Sequence, residues 1–332
     1  MTKSIGGGSL NIKALERGNK LNHVLFFVML VFFGILAWGR NIAWISDAGI
    51  WIDAGTKSSL KGRVIQAAGI AYLKEGRFDE AEAAFRTALR LGQELSVSHD
   101  DMGLAYDKQG RTGDAMDEYS VASRIRRGFS ILHNNIGIIY YRQGRINDAI
   151  GEYLTAIEDK PDDSIAHKNL AVAYDGLGRF DEAIKEYEIA LASERGYGEE
   201  GHYAEIHYSR GNIYAKKGLF NEAIKDYERA LNILPGHIKA WNNIALSYLE
   251  LGQLDRAEDE LKKVIGFYPG YADAHYNIAI VYVKKGMLNE ALAHFEKAVA
   301  LDSGQNKARR AIQEIKGAIA GQGKITPVTG KR

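Results

Sequence analysis

The strongest constraint on this chain is a 34-residue periodicity, cleanest in residues 130–163, SILHNNIGIIYYRQGRINDAIGEYLTAIEDKPDD. Within that unit Ile136, Gly137 and Tyr140 share one face of a first helix, and Ala149, Tyr153 and Ala156 share one face of a second. Gly144 breaks the chain between them and Pro161 stops it afterwards. Small residues at Gly137 and Ala149 let the two helices approach closely, while Tyr140 and Tyr153 fill the space beside them. A pair built this way leaves one apolar side open, so it must stack on pairs of its own kind.

Those pairs are present. Counting the first residue of each unit as position 1, small residues recur at position 8: Gly69, Gly103, Gly137, Ala171, Gly211, Ala245 and Ala279. Position 11 is Tyr72, Tyr106, Tyr140, Tyr174, Tyr214, Tyr248 and Tyr282, and position 20 is alanine throughout, from Ala81 to Ala291. Position 24 reads Phe85, Tyr119, Tyr153, Tyr187, Tyr227, Leu261 and Phe295. The pattern resembles the tetratricopeptide repeat family, in seven copies at 62–95, 96–129, 130–163, 164–197, 204–237, 238–271 and 272–305. The resemblance implies an all-α, right-handed superhelical solenoid of seven helix pairs. Residues 306–320, with Ala308, Ile312, Ile315 and Ile319 at helical spacing, read as a capping helix over the last open face. Six extra residues fall within Arg195–Tyr203, between the fourth and fifth units.

The N-terminal part is of another kind. Residues 1–20 are Gly/Ser-rich and basic, reading as a disordered arm. Leu21–Gly39 is a stretch of 19 residues without a formal charge, twelve of them Leu, Ile, Val or Phe. As a helix it reaches about 28 Å, close to a bilayer's hydrocarbon thickness, and is expected to span a membrane. A cleaved signal peptide ending at Ala37-Trp38-Gly39 is the alternative. Lys13, Arg17 and Lys20 on the N-terminal side outweigh Arg40, so the N-terminus is expected in the cytoplasm and the repeats outside it, periplasmic or lumenal. Residues 40–61 form a juxtamembrane segment. Arg40-Asn41, Trp44, Ile50-Trp51-Ile52-Asp53 and Lys57-Ser58 make residues 24–65 similar to the last membrane helix and junction of transmembrane-and-tetratricopeptide-repeat O-mannosyltransferases. The multi-span catalytic part of that family is absent, so its activity does not carry over.

Charge narrows the function classes. The first 40 residues hold five Lys/Arg against one acid, the flexible tail 321–332 holds three and none, and the body between carries 35 basic against 41 acidic residues. A mildly acidic body does not suit nucleic acid. With no cysteine there are no disulfides or thiolate metal sites. No Walker, HExxH or GxSxG motif occurs, and Gly196-Tyr197-Gly198-Glu199-Glu200-Gly201 matches a dinucleotide pattern only as a string, reading instead as a flexible loop. The expectation is a non-enzyme with no cofactor, no metal and no small-molecule substrate.

Three recurrences bear on binding. Position 6 reads Ala67, Asp101, Asn135, Asn169, Ser209, Asn243 and Asn277, and in this family it faces the concave groove. The run looks like the asparagine ladder of the O-linked N-acetylglucosamine transferase repeats, which grips a peptide backbone; an amide supplies both donors and an acceptor for that task. Plain repeat consensus is the competing explanation. Position 13 adds Lys74, Lys108, Arg142, Lys216 and Lys284 toward the same groove. Position 4 holds His99, His133, His167, His207 and His275, too far apart for one metal ion because packed helices lie 8–10 Å from each other. These histidines read as packing residues in place of the tryptophan that Trp241 retains. The family's carboxylate clamp is not matched, since Lys168 is followed by Val172 and Asn212 is preceded by Tyr208. The expected function is a membrane-anchored scaffold that binds an extended segment or helix of another protein. The alternative is an accessory subunit of a glycan-transfer, envelope-biogenesis or pilus machinery.

Overall fold

The computed structural model describes residues 61–92, 95–126, 128–193 and 200–321. The expected basic arm, membrane helix, juxtamembrane segment and tail lie outside the described residues, apart from Lys61 and Gly321 at their margins. Among the described residues all regular structure is helical, in fifteen helices. The first repeat supplies α1 (Lys61–Lys74) and α2 (Phe78–Arg90), the second α3 (Leu95–Lys108) and α4 (Thr112–Ile125), and the third α5 (Ser130–Arg142) and α6 (Ile146–Asp159). The fourth supplies α7 (Ser164–Gly176) and α8 (Phe180–Ala192), the fifth α9 (Glu200–Lys216) and α10 (Phe220–Ile233), and the sixth α11 (Ile238–Glu250) and α12 (Leu254–Phe267). The seventh gives α13 (Ala272–Lys284) and α14 (Leu288–Leu301), and α15 (Asn306–Ile319) closes the series. The first helix of each pair is here called A and the second B. The chain divides into two compact units, Met1–Leu132 and His133–Arg332.

Each A–B turn is made the same way. In the third repeat Gly144 adopts φ 76°, a left-handed conformation that costs a glycine little and any β-carbon much more. Its N–H donates to the Tyr141 carbonyl at 3.0 Å and the next N–H, of Arg145, to Tyr140 at 2.9 Å, so the last carbonyls of the A helix are satisfied as the chain reverses. Arg145 then lies over the Tyr140 ring at 4.1 Å and bonds Asp148 at 2.6 Å in the first turn of the B helix.

Inside the first unit, Phe85 packs on Gly69 and Tyr119 on Gly103, with Ala81, Ala88, Ala115 and Ala122 fully buried around them. The second unit repeats the motif with Tyr153 on Gly137 and Tyr227 on Gly211. Its core is continuous with the cap: Ala308, Ala311 and Ile315 of α15 join the cluster of Ala291, Phe295 and Tyr282. The buried stripe of the cap is therefore 308, 311 and 315, with Ile312 half-buried, whereas Ile319 is 50% exposed.

The six-residue insertion is partly absorbed as helix. Helix α9 starts at Glu200, running 17 residues against 13 or 14 in the other A helices. Gly201, expected in a flexible loop, is helical; residues 196–199 lie outside the described residues. Glu200 places an acid on the positive end of the helix, and Tyr203, 2% exposed, anchors the added turn.

A β-carbon built on Gly137 would sit 2.4 Å from Cε1 of the buried Tyr153 ring. Gly137→Ala gains about 1 kcal/mol of helix propensity but loses more to overpacking, which costs roughly 1–3 kcal/mol. Urea denaturation should show a net loss of up to about 2 kcal/mol. A net gain of about 1 kcal/mol, the helix-propensity effect alone, would mean that the helices do not pack at this position.

Candidate partner-binding face and its histidine clamps

The solvent-facing side of the A helices is built from positions 2, 5, 6, 9 and 13, which fall within one arc of a helix. On α7 these are Ile165, Lys168, Asn169, Val172 and Gly176, while Ala166, Leu170, Ala173 and Tyr174 point into the core. Ile165 is 46% exposed. Position 9 carries an aliphatic stripe, half-buried, through Ile138, Val172, Leu246 and Ile280, broken by Asn212 in the fifth repeat.

The expected run of amides is real, but it is not simply bathed in solvent. Asn135, Asn169 and Asn243 are half-buried and Asn277 is buried. Each bond reaches back one repeat: Asn169 Nδ2 donates to Asn134 Oδ1 at 2.8 Å, and Asn277 Nδ2 to Asn242 Oδ1 at 2.8 Å. In the fifth repeat position 5 is Tyr208, so Asn243 Nδ2 turns instead to Asn212 Oδ1 at 2.9 Å, which also accepts from the Tyr227 hydroxyl. The first unit has the counterpart Gln66 Nε2 to Asp101 Oδ2 at 2.9 Å. Burial raises the Asp101 carboxyl to about 6, against the pull of the Gln66 bond. Successive A helices are thus tied by a position-6 amide donating to position 5, or to position 9 from the sixth repeat to the fifth, and in the first unit by a position-5 amide donating to the position-6 carboxylate. One amide N–H is used in each such bond, so Asn169 and Asn277 retain a second N–H and the Oδ1 for other partners.

The position-13 cations Lys74, Lys108, Arg142, Lys216 and Lys284 are all exposed at the ends of their A helices. Lys216 is committed to Asp175 of the preceding repeat, at 2.7 and 2.8 Å. Lys168 on the same face is half-buried, and burial lowers its pKa despite the nearby Glu205.

The position-4 histidines do more than fill the tryptophan's place. Each meets position 23 on its own B helix: His99 Nδ1 lies 2.6 Å from Glu118, His133 2.8 Å from Glu152, His167 2.6 Å from Glu186 and His207 3.2 Å from Asp226. The opposite ring nitrogen serves the chain before the helix. His167 Nε2 donates to the Pro161 carbonyl at 3.0 Å and His275 Nε2 to that of Pro269 at 3.1 Å. Trp241 Nε1 donates to Pro235 at 3.0 Å in the same manner. This shared N–H is what lets histidine and tryptophan exchange at position 4. The signal was present in the sequence, an acid 19 residues after four of the five histidines, but only the A–B packing shows that the two meet.

Two repeats depart from the pattern. In the sixth, tryptophan leaves the position-23 acid without its clamp: Glu260 Oε1 takes Lys263 at 2.8 Å, and the buried Oε2 has no hydrogen-bond partner. In the fifth the acid is the shorter Asp226, 1% exposed, and buried Arg210 reaches it with two bonds at 2.6 and 2.8 Å. Burial opposes ionisation of Asp226, yet the bonds from Arg210 and His207 hold its pKa down to about 2. Among the described residues no group of three or more His, Asp or Glu is placed to hold a metal ion.

Family models of the tetratricopeptide repeat match residues 67–128, 137–178, 162–236, 202–268 and 272–304, together more than half of the chain. The chain belongs to the tetratricopeptide repeat family. No curated protein matches it. Solved structures similar to it include the Cut9 and Hcn1 hetero-tetramer of the APC/C, at 18% identity and a TM-score of 0.57 over 76% of this chain and 48% of that one. A tetratricopeptide repeat protein from Parabacteroides merdae is 15% identical, with a TM-score of 0.52 over 77% and 98%. Pseudomonas aeruginosa pilF is 18% identical, with a TM-score of 0.53 over 70% and 95%. These likenesses are of fold. In class, the chain is a protein-interaction scaffold.

Glu186→Gln removes a charge-assisted bond and should lower stability by about 1.5–3 kcal/mol. The same exchange at Glu260 breaks no clamp and should stay within about 0.5 kcal/mol. Chemical denaturation of both variants at neutral pH checks this; equal losses would show that the clamp contributes nothing.

Proposed function

We propose that this chain is a membrane-anchored scaffold whose A-helix face grips an extended segment of another protein. The observation that carries the reading is the amide row beside the aliphatic stripe. Asn169 and Asn277 each keep a donor and an acceptor after bonding the neighbouring repeat, which suits peptide groups of an extended backbone without selecting its side chains. Val172 and Ile280, half-buried next to them, offer apolar contact for the segment's side chains. Within the second unit the exposed Lys284 favours an acidic residue in the segment.

The inter-repeat bonds change how the site is to be tested. Replacing Asn135, Asn169, Asn243 and Asn277 together would unpick the stack as well as the site, because Asn169, Asn243 and Asn277 hold neighbouring repeats. A photo-crosslinking residue introduced at the exposed Ile165 or Lys239 of the A face avoids this. In cells, these positions should capture one protein that the exposed B-helix positions Lys185 and Lys225 do not. Identical products from both faces would discard the A face as the site.

The anchor rests on the uncharged stretch Leu21–Gly39 and the basic residues before it. A reporter active only after export, fused behind Arg332, should be active, and a cytoplasm-only reporter there silent. The reverse result rejects this topology. Placement of the repeats beside a membrane also accommodates service as an accessory subunit of a glycan-transfer, envelope-biogenesis or pilus machinery, for which the junction at residues 24–65 is the sequence feature in favour.

A further inference from the structure

The clamps of the second unit differ in a way that the solenoid does not require. His167 donates from Nε2 to a carbonyl and faces the Glu186 carboxylate from Nδ1. Neither partner can donate, so the closed clamp holds an imidazolium. His133 faces Glu152 at 2.8 Å, with Asp159 of the same B helix adding negative potential. In the seventh repeat position 23 is itself a histidine. His275 Nε2–H is committed to the Pro269 carbonyl, and its Nδ1 lies 3.0 Å from His294 Nδ1, so the bond between the rings needs a proton on one Nδ1 and a lone pair on the other. The two rings stack with centroids 5.2 Å apart.

That bond survives only while one of the two Nδ1 atoms is unprotonated. A proton on each sets N–H against N–H and places two positive charges in stacked rings, one buried and one half-buried. The surroundings do not compensate. Lys262 of α12 adds positive potential at His294, and Glu258 of the same helix is engaged by Lys262 at 2.6 Å, by Lys285 and by the Tyr282 hydroxyl. On the far side of α14, Glu296 is paired with Lys316 of α15 at 2.8 Å.

We propose that the second unit carries acid-responsive clamps of opposite sign: protonation closes the His133–Glu152 and His167–Glu186 clamps and opens the His275–His294 clamp, releasing the seventh repeat and α15 from the end of the stack. The signs follow from linkage. The bond to Glu152 raises the His133 pKa, and at His167 burial is outweighed by Glu186 and Pro161, so that it too is raised. The stability from these clamps is complete below the ordinary histidine value of about 6.5 and is lost as pH rises through the raised values. At His294 burial and then His275 lower the pKa. Its contribution is present above about 6.5 and is lost as pH falls toward the lowered value. A repeat solenoid opens from its ends, and beyond the seventh repeat stands only the single helix α15. The seventh repeat is therefore placed where a weakened clamp has an effect, and its release removes Asn277 and Ile280 from the A face.

This inference stands on the clamps and not on any partner. Its test is amide hydrogen exchange of the full chain at about pH 7.5 and about pH 5.5, corrected for the intrinsic pH dependence of exchange. Protection of α13–α15 should fall in acid, by up to about tenfold for each pH unit by which His294 is lowered, while α5–α8 hold or gain protection. His294→Glu gives the seventh repeat the clamp of the others and should reverse the acid response of α13–α15. His294→Phe keeps a ring without a proton site and should abolish it. An acid loss that persists in both variants, or protection of α13–α15 that does not change with pH in the parent chain, overturns the proposal.

Discussion

Everything in this solenoid depends on how closely the A and B helices of one repeat approach each other. Position 8 sets that distance. Where it is glycine, the ring at position 24 lies against the helix backbone itself, as Tyr153 does at Gly137 and Phe85 at Gly69. Burying such a ring contributes on the order of 1.5–3 kcal/mol, and the close approach brings two further pairs of positions together. One is 11 with 16, where Arg145 stacks on Tyr140. The other is 4 with 23, where a histidine and a carboxylate meet at 2.6–2.8 Å in the second, third and fourth repeats. A wider helix pair would separate the last of these beyond hydrogen-bond reach. Packing comes first, and the clamp is its consequence.

The architecture was legible because each of its parts is local. Gly144 marks a left-handed turn, Ala149 and Tyr153 mark a contact between neighbours in sequence, and a fixed period repeats both. The cap was legible for the same reason, although its buried stripe runs through Ala311 and not Ile319. Alanine carries little hydrophobic signal, so a tight contact made by alanine is easily overlooked beside an exposed isoleucine. The start of α9 was hidden by Gly196, Gly198 and Gly201, a composition that reads as loop. What extends the helix to Glu200 is the burial of Tyr203, a tertiary effect.

The candidate face was legible in composition and not in its bonding. The amides at position 6 stand out in the sequence; their acceptors at position 5 belong to the preceding repeat and carry no pattern of their own. Asn134 and Asn242 accept from the next repeat, yet the same position is Lys168 in the fourth and Tyr208 in the fifth. The row is therefore interrupted at the fifth repeat, where Asn212 takes over as acceptor and the aliphatic stripe loses a member. The row thus falls into two parts, one on each side of that break.

The fifth repeat is also where the electrostatics concentrate. Arg210 replaces an apolar residue at position 7 and is buried against Asp226, which His207 and Arg229 contact as well. A buried pair of this kind is weak evidence of stability, because desolvation of both charges offsets most of their attraction. Removing one partner is another matter, since the survivor would be left charged and dry. The pair is thus better suited to fixing register than to adding stability. It lies directly after the insertion, where α9 has gained a turn and the usual 34-residue spacing no longer dictates how the next repeat docks. A hydrophobic contact there would tolerate a slip of α9 along α10, whereas two bonds at 2.6 and 2.8 Å to one carboxylate do not.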